Sequence, residues 1–190
     1  LTFVQGRSGT ANGQFVYVMG RLTDDDCNPI ANATIVVWQA SDSGKYNHNG
    51  DGANSTFRHP KTGVLIRRKL DSNFQFWGKI QTNDEGNYVF KTIIPGFYPA
   101  NLDSGWFRPP HIHFMVTAIG LPQFVTQMYF KGEIQNSDFI EELNRADPLL
   151  QSRSISKEQR EKLIVNFNVD PTGQFNDGLV GEFDIQMPSR

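Results

Sequence analysis

Apolar residues in this chain come in short runs broken by Gly, Asn, Asp and Pro, the pattern of strands joined by turns rather than of long amphipathic helices. Residues 14–22 (QFVYVMGRL) open the series, rich in β-branched and aromatic side chains, and the polar DDDCNP that follows reads as a reversal. Residues 33–39 (ATIVVWQ) are too short and too β-branched for a helix and predict a buried strand. Residues 73–82 and 87–94 flank NDEG, which predicts a hairpin, and residues 124–130 (FVTQMYF) predict a strand after the turn GLPQ. The pattern then changes. Residues 137–145 and 156–163 predict two short helices, the second opened by Ser156 with Gln159 three positions on, as in a capping box. Strand character returns at residues 164–169 and 182–187. About eight strands with turns between them predict an all-β fold, an antiparallel β-sandwich of the immunoglobulin or transthyretin kind, with a short helical insertion near residues 137–163. No repeat, heptad or linker divides the chain, so residues 1–190 read as a single domain.

Composition narrows the function classes. The 190 residues, 15 of them Phe, suffice for a sizeable core. Net charge is −2 with both signs interspersed, leaving no basic stripe for nucleic acid, so a small molecule or a protein is the expected partner. No apolar run approaches the ~18 residues of a membrane span, which predicts a soluble chain. The sequence begins at Leu1 without a methionine, so a removed leader and export stay open beside a cytoplasmic location. The single cysteine, Cys27, cannot form an internal disulfide or a thiolate cluster and reads as a bystander in a turn, so any metal must use His, Tyr, Asp or Glu.

Candidate chemistry concentrates in residues 95–114, PGFYPANLDSGWFRPPHIHF. On a strand, His111 and His113 face one way and Ile112 the other, so the two imidazoles either share a metal ion or hydrogen-bond on a sheet face. Pro99, Pro109 and Pro110 bias the residues before them toward extended backbone, which suits a preorganised site. Tyr46 is the lone large rigid side chain in the polar loop before Phe57, and Tyr98 sits among Gly and Pro. Tyr17, Tyr88 and Tyr129 read as core or sheet-face residues with satisfied hydroxyls, and His48 and His59 as solvated or hydrogen-bonded loop residues. By themselves Arg108 reads as an ion-pair residue and Gln127 as a satisfied sheet residue.

Five segments in order, VVWQASDSGKYNH, IIPGFYP, WFRPPHIHF, TQMYFKGE and ADPLLQS, resemble the intradiol ring-cleavage dioxygenases, most closely the iron-binding chain of the protocatechuate 3,4-dioxygenase group. The resemblance implies a non-haem Fe(III) held by Tyr46, Tyr98, His111 and His113, with Tyr98 and His113 axial and Tyr46 and His111 equatorial beside a hydroxide. Phenolate is a hard anionic donor that favours Fe(III), and only a bound cation would keep two phenols of ordinary pKa ~10 ionised at neutral pH. It further implies that Tyr98 and hydroxide take the two protons of a small aromatic diol, that Arg108 stabilises charge on the ring, and that Gln127 accompanies it. Both atoms of O2 would enter the catechol-type ring to give a cis,cis-muconate. Ala100 stands where the protocatechuate group tends to carry Trp, implying a wider pocket, and the chain shows no counterpart of the helical N-terminal domain of catechol 1,2-dioxygenases. A homo-oligomer and an assembly with a homologous chain are both open. Two other classes compete: a cupin-type Fe(II) oxygenase, although the first acidic residue after His113 is as far away as Glu133, and a non-enzymatic β-sandwich binding module.

Overall fold

The structure is a computed structural model and describes residues 1–51 and 55–188. In chain order the strands are β1 (Phe15–Thr23), β2 (Thr34–Gln39), β3 (Thr56–Arg58), β4 (Leu65–Arg67), β5 (Trp77–Gln81), β6 (Asn87–Ile93), β7 (Tyr98–Asn101), β8 (Trp106–Arg108), β9 (His111–Thr117) and β10 (Phe124–Gly132). Helices α1 (Ser137–Ala146) and α2 (Lys157–Leu163) follow, then β11 (Ile164–Val169), β12 (Leu179–Glu182) and β13 (Ile185–Gln186). Strands therefore predominate, as the short apolar runs predict.

The largest sheet runs β13-β1-β12-β11-β10-β9-β2-β5, with β6 also on β1, while β3 with β4 and β7 with β8 form separate two-stranded ribbons. This sheet is mixed, which corrects the expected antiparallel arrangement: β10 pairs with β11 in parallel, and β1 does so with β12 and β13. The physical reason lies in the helical insertion. A tight turn after β10 would force an antiparallel return, whereas the long excursion through α1 and α2 carries the chain back to run beside β10 in the same direction. Ser156 caps α2 as expected, its hydroxyl accepting from Gln159 N at 3.1 Å while Gln159 Oε1 accepts from Ser156 N at 2.9 Å.

Alternation along the strands builds the core. Val16, Val18 and Leu22 of β1, Ile35 and Val37 of β2, Ile112, Phe114 and Val116 of β9, and Met128 and Phe130 of β10 are all buried in one cluster. Each such side chain contributes about 1.5–3 kcal/mol by leaving water, so the register of β9 is strongly fixed and everything on its opposite face is held with it. The expected strand over residues 73–82 is shortened to Trp77–Gln81. Asp71 accepts from Asn73 N at 2.9 Å and Phe76 takes a positive φ of 61°, so a turn seats Phe74 and Phe76 in a second small cluster with Ala11 and Ile93. Among the described residues no helix is long and apolar enough to cross a membrane.

Candidate metal centre

Strand register assembles the site. His111 and His113 lie on the face of β9 opposite the core residues Ile112 and Phe114, and across the ladder they stand against Tyr129 and Gln127 of β10. On the other flank His113 pairs with Trp38 of β2, and the two rings stack with centroids 4.7 Å apart and planes 3° apart. Tyr98 and Arg108 face each other across the β7–β8 ribbon. Tyr46 comes from the loop after β2, and two glycines bring that loop against the Tyr98 segment: a Cβ on Gly44, at φ +76°, would overlap the Phe97 carbonyl, and one on Gly96 would overlap Asp42 O and Gly44 N.

The four side chains singled out as ligands thus converge from three separate elements. Ring centroids are 4.9 Å apart for His111 and His113, 5.6 Å for Tyr46 and Tyr98, 5.8 Å for Tyr98 and His111, and 6.4 Å for Tyr46 and His113. His111 is 1% exposed, and its Nδ1 lies 2.7 Å from the Pro109 carbonyl, which can only accept. Nδ1 therefore carries the proton and Nε2 a lone pair, aimed 3.3 Å from the Tyr46 hydroxyl. Burial, reinforced by the Arg108 charge, pushes His111 well below the usual imidazole range and His113 down to about 4. Burial likewise pushes both Tyr46 and Tyr98 above the usual phenol range; the neighbouring Tyr98 raises Tyr46 further, whereas Arg108 opposes the shift at both. Two neutral imidazoles with lone pairs available beside two phenols that ionise only for a cation make a donor set suited to a hard trivalent metal. Among the described residues no group of three His, Cys, Asp or Glu side chains converges, and Tyr46 and Tyr98 supply further side-chain oxygens beside the two histidines here.

Arg108 is fixed from three sides. Its Nε donates to Asp147 at 2.7 Å and its Nη2 to Gln127 Oε1 at 2.6 Å and to the Tyr129 hydroxyl at 3.2 Å, while Tyr129 itself donates to Gln127 Oε1 at 3.0 Å. Asp147, fully buried at the C-terminal cap of α1, also accepts from Leu149 N and Leu150 N. Tyr129 is, as expected, a buried sheet residue with a satisfied hydroxyl, and the partners that satisfy it place it in the Arg108 network. Its two-residue spacing from Gln127 on one strand was the available signal. Tyr17 and Tyr88 behave as expected, bonded to Asp177 and to the Phe183 carbonyl. His59 is hydrogen-bonded as expected, its Nδ1 accepting from Lys61 N at 3.1 Å, and its ring also packs on Phe97 and Phe139, while His48 sits 5.7 Å from the Tyr46 ring and lines a cleft of about 370 Å³. Ala100 and Arg68 line the same cleft.

The depressed imidazoles carry a pH consequence for the metal-free protein. The unfolded chain takes up a proton at His113 near pH 6.5, whereas the folded chain refuses it until about 4. Between those values the unfolded state binds more protons, so folding stability falls as pH drops, by about 3 kcal/mol for this residue alone. Denaturant unfolding of the metal-free protein at pH 7 and pH 5, with His113→Gln as reference, measures this; identical slopes in the two proteins would contradict it.

A family model described as Dioxygenase matches residues 2–185. The chain is 34% identical over 186 residues to the protocatechuate 3,4-dioxygenase beta chain of Burkholderia cepacia, covering 97% of this chain and 68% of that one. It is 29% identical over 136 residues to catechol 1,2-dioxygenase 2 of Acinetobacter lwoffii, covering 66% of this chain but spanning only 43% of that relative's length. Among solved structures, the intradiol ring-cleavage dioxygenase from Tetranychus urticae superposes with a TM-score of 0.57 at 26% identity, over 94% of this chain and 82% of that one. A family model that spans nearly the whole chain, and a relative aligned across 97% of it at this identity, together mean that the chain belongs to the intradiol ring-cleavage dioxygenases.

Proposed function

We propose that this chain is one catalytic domain that uses non-haem Fe(III) to insert both atoms of O2 into a catechol-type ring, giving a cis,cis-muconate. The observation that carries the reading is the convergence of Tyr46, Tyr98, His111 and His113 on one point with Arg108 fixed beside them. Family membership removes the cupin and the non-enzymatic alternatives. Bound at these four residues, iron would supply a Lewis acid that holds the diol as its dianion and withdraws electron density from it, making a ring carbon reactive toward O2.

The protein's own groups do the rest. Tyr98, at the cleft wall, takes one diol proton on its phenolate oxygen. Arg108 presents a fixed positive charge where negative charge gathers on the ring, and its orientation needs no reorganisation because Asp147, Gln127 and Tyr129 already hold it. The His111 Nδ1–H bond to Pro109 keeps Nε2 directed inward. Ala100 leaves the cleft wall open where a large side chain would narrow it, which favours a bulkier catechol than protocatechuate. Resemblance to a protein named a beta chain supports assembly with a homologous chain, with a homo-oligomer as the second arrangement.

The test is direct. The iron-loaded protein should be burgundy red from tyrosinate-to-Fe(III) charge transfer, and a panel of substituted catechols should give oxygen uptake with ring-opened diacid products. Colourless protein with a verified full iron load would sink the two-tyrosinate assignment, and extradiol products would sink the reaction.

A further inference from the structure

Arg68 follows β4, is 5% exposed, and takes no part in the chemistry above, yet it touches the segments of both tyrosines. Its Nε and Nη2 donate to the Gly44 carbonyl at 2.8 and 2.6 Å, and Nη2 also reaches both carboxylate oxygens of Asp51 at 2.7 Å each. Gly44 and Asp51 bracket Tyr46 in sequence, and Asp51 Oδ2 in turn accepts from Tyr46 N at 2.7 Å. One guanidinium therefore ties together the two ends of the loop that presents Tyr46. The same group lies over Tyr98, its central carbon 5.3 Å from the ring centroid, within cation–π range. Lys45 Nζ also donates to the Asp51 carbonyl and stands 3.8 Å from Asp51 Oδ2, so it holds the Asp51 end of the loop, whereas the planar fork of Arg68 grips the Gly44 end and the Asp51 end together.

We propose that Arg68 is a positioning residue of the metal centre: it closes the loop over residues 44–51 around Tyr46 and abuts the face of Tyr98, thereby setting the separation of the two phenol oxygens. The proposal rests on the reading of Tyr46 and Tyr98 as ligands. Arg68 acts through them and through Asp51, from the wall of the same cleft.

Two measurements on Arg68→Lys and Arg68→Met test it. The first needs no iron: in the stripped protein, amide hydrogen exchange at Tyr46 should speed up at least ~10-fold in both variants while the amides of β9 keep their protection. Unchanged exchange at Tyr46 overturns the proposal, and equal acceleration across β9 does so too, because it makes Arg68 a general stabiliser. The second is iron affinity by chelator competition with the charge-transfer band as readout. Arg68→Met should weaken iron binding by ~10–100-fold, the usual consequence of removing a group that orients a ligand. In a Tyr46→Phe background the same change should weaken it far less, since its main target is gone. Equal loss in both backgrounds overturns the proposal. Wild-type protein that takes up no iron, or shows no tyrosinate band when loaded, overturns the ligand reading itself and with it Arg68's role toward a metal. The exchange measurement reports on the loop in either case, so the two failures are told apart.

Discussion

Replacing Arg108 with Leu should lower kcat/KM on a cleaved catechol by at least ~100-fold, as removal of one preorganised charge-stabilising group does elsewhere. It should also cost about 3–5 kcal/mol of folding stability. The stability loss comes from Asp147, which has no exposed surface and would keep its charge in the interior with only the Leu149 and Leu150 amides as donors. Because the two effects coincide in the single variant, the double variant Arg108→Leu/Asp147→Leu is the informative one. Removing both members of a buried pair is often close to neutral, so stability should return toward wild type. Turnover should not, because Gln127 and Tyr129 would then hold nothing positive near the ring. Chemical denaturation and steady-state kinetics on one preparation decide it: activity that recovers with stability would make Arg108 a structural residue.

Tyr98→Phe should keep iron near full occupancy, shift the visible band, and lower kcat by ~10²–10⁴-fold, the range for loss of a positioned proton acceptor. The substitution removes one oxygen and keeps the ring, so the edge contact with the Tyr46 ring, the Arg68 guanidinium over its face and the ladder to Arg108 all remain. Three donors are left to hold the ion. Unchanged turnover on an identified catechol would remove Tyr98 from the proton-accepting role, and complete loss of iron would make it a structural ligand instead.

Short β-branched and aromatic runs bounded by turn residues made β1, β2, β6, β10 and β11 legible to within about two residues, and the Ser156–Gln159 pair announced the start of α2. Local rules suffice there because a strand's face and a helix's cap are decided by near neighbours. The parallel pairings were not legible, because they depend on where a long excursion returns rather than on any short motif. The site divides along the same line. His111, His113, Tyr98 and Tyr46 stood out by their segments, Arg108 and Gln127 only through the family resemblance, and the structure brings all six side chains together. Asp147, Arg68 and Asp51 were not singled out because the ion pairs that define them join residues distant in sequence, and an acidic residue before a proline or an arginine after a short strand carries no local mark of what it will touch.

The two helices, adjacent in the chain, differ in what they tolerate. α1 buries Ile140, Leu143 and Asn144, and it ends on the carboxylate that grips Arg108. α2 buries none of its residues. A reporter peptide or a tether to a solid support spliced into α2 would hang from the surface, whereas the same graft in α1 would pull on the guanidinium, which makes the second helix the natural handle for immobilising this enzyme.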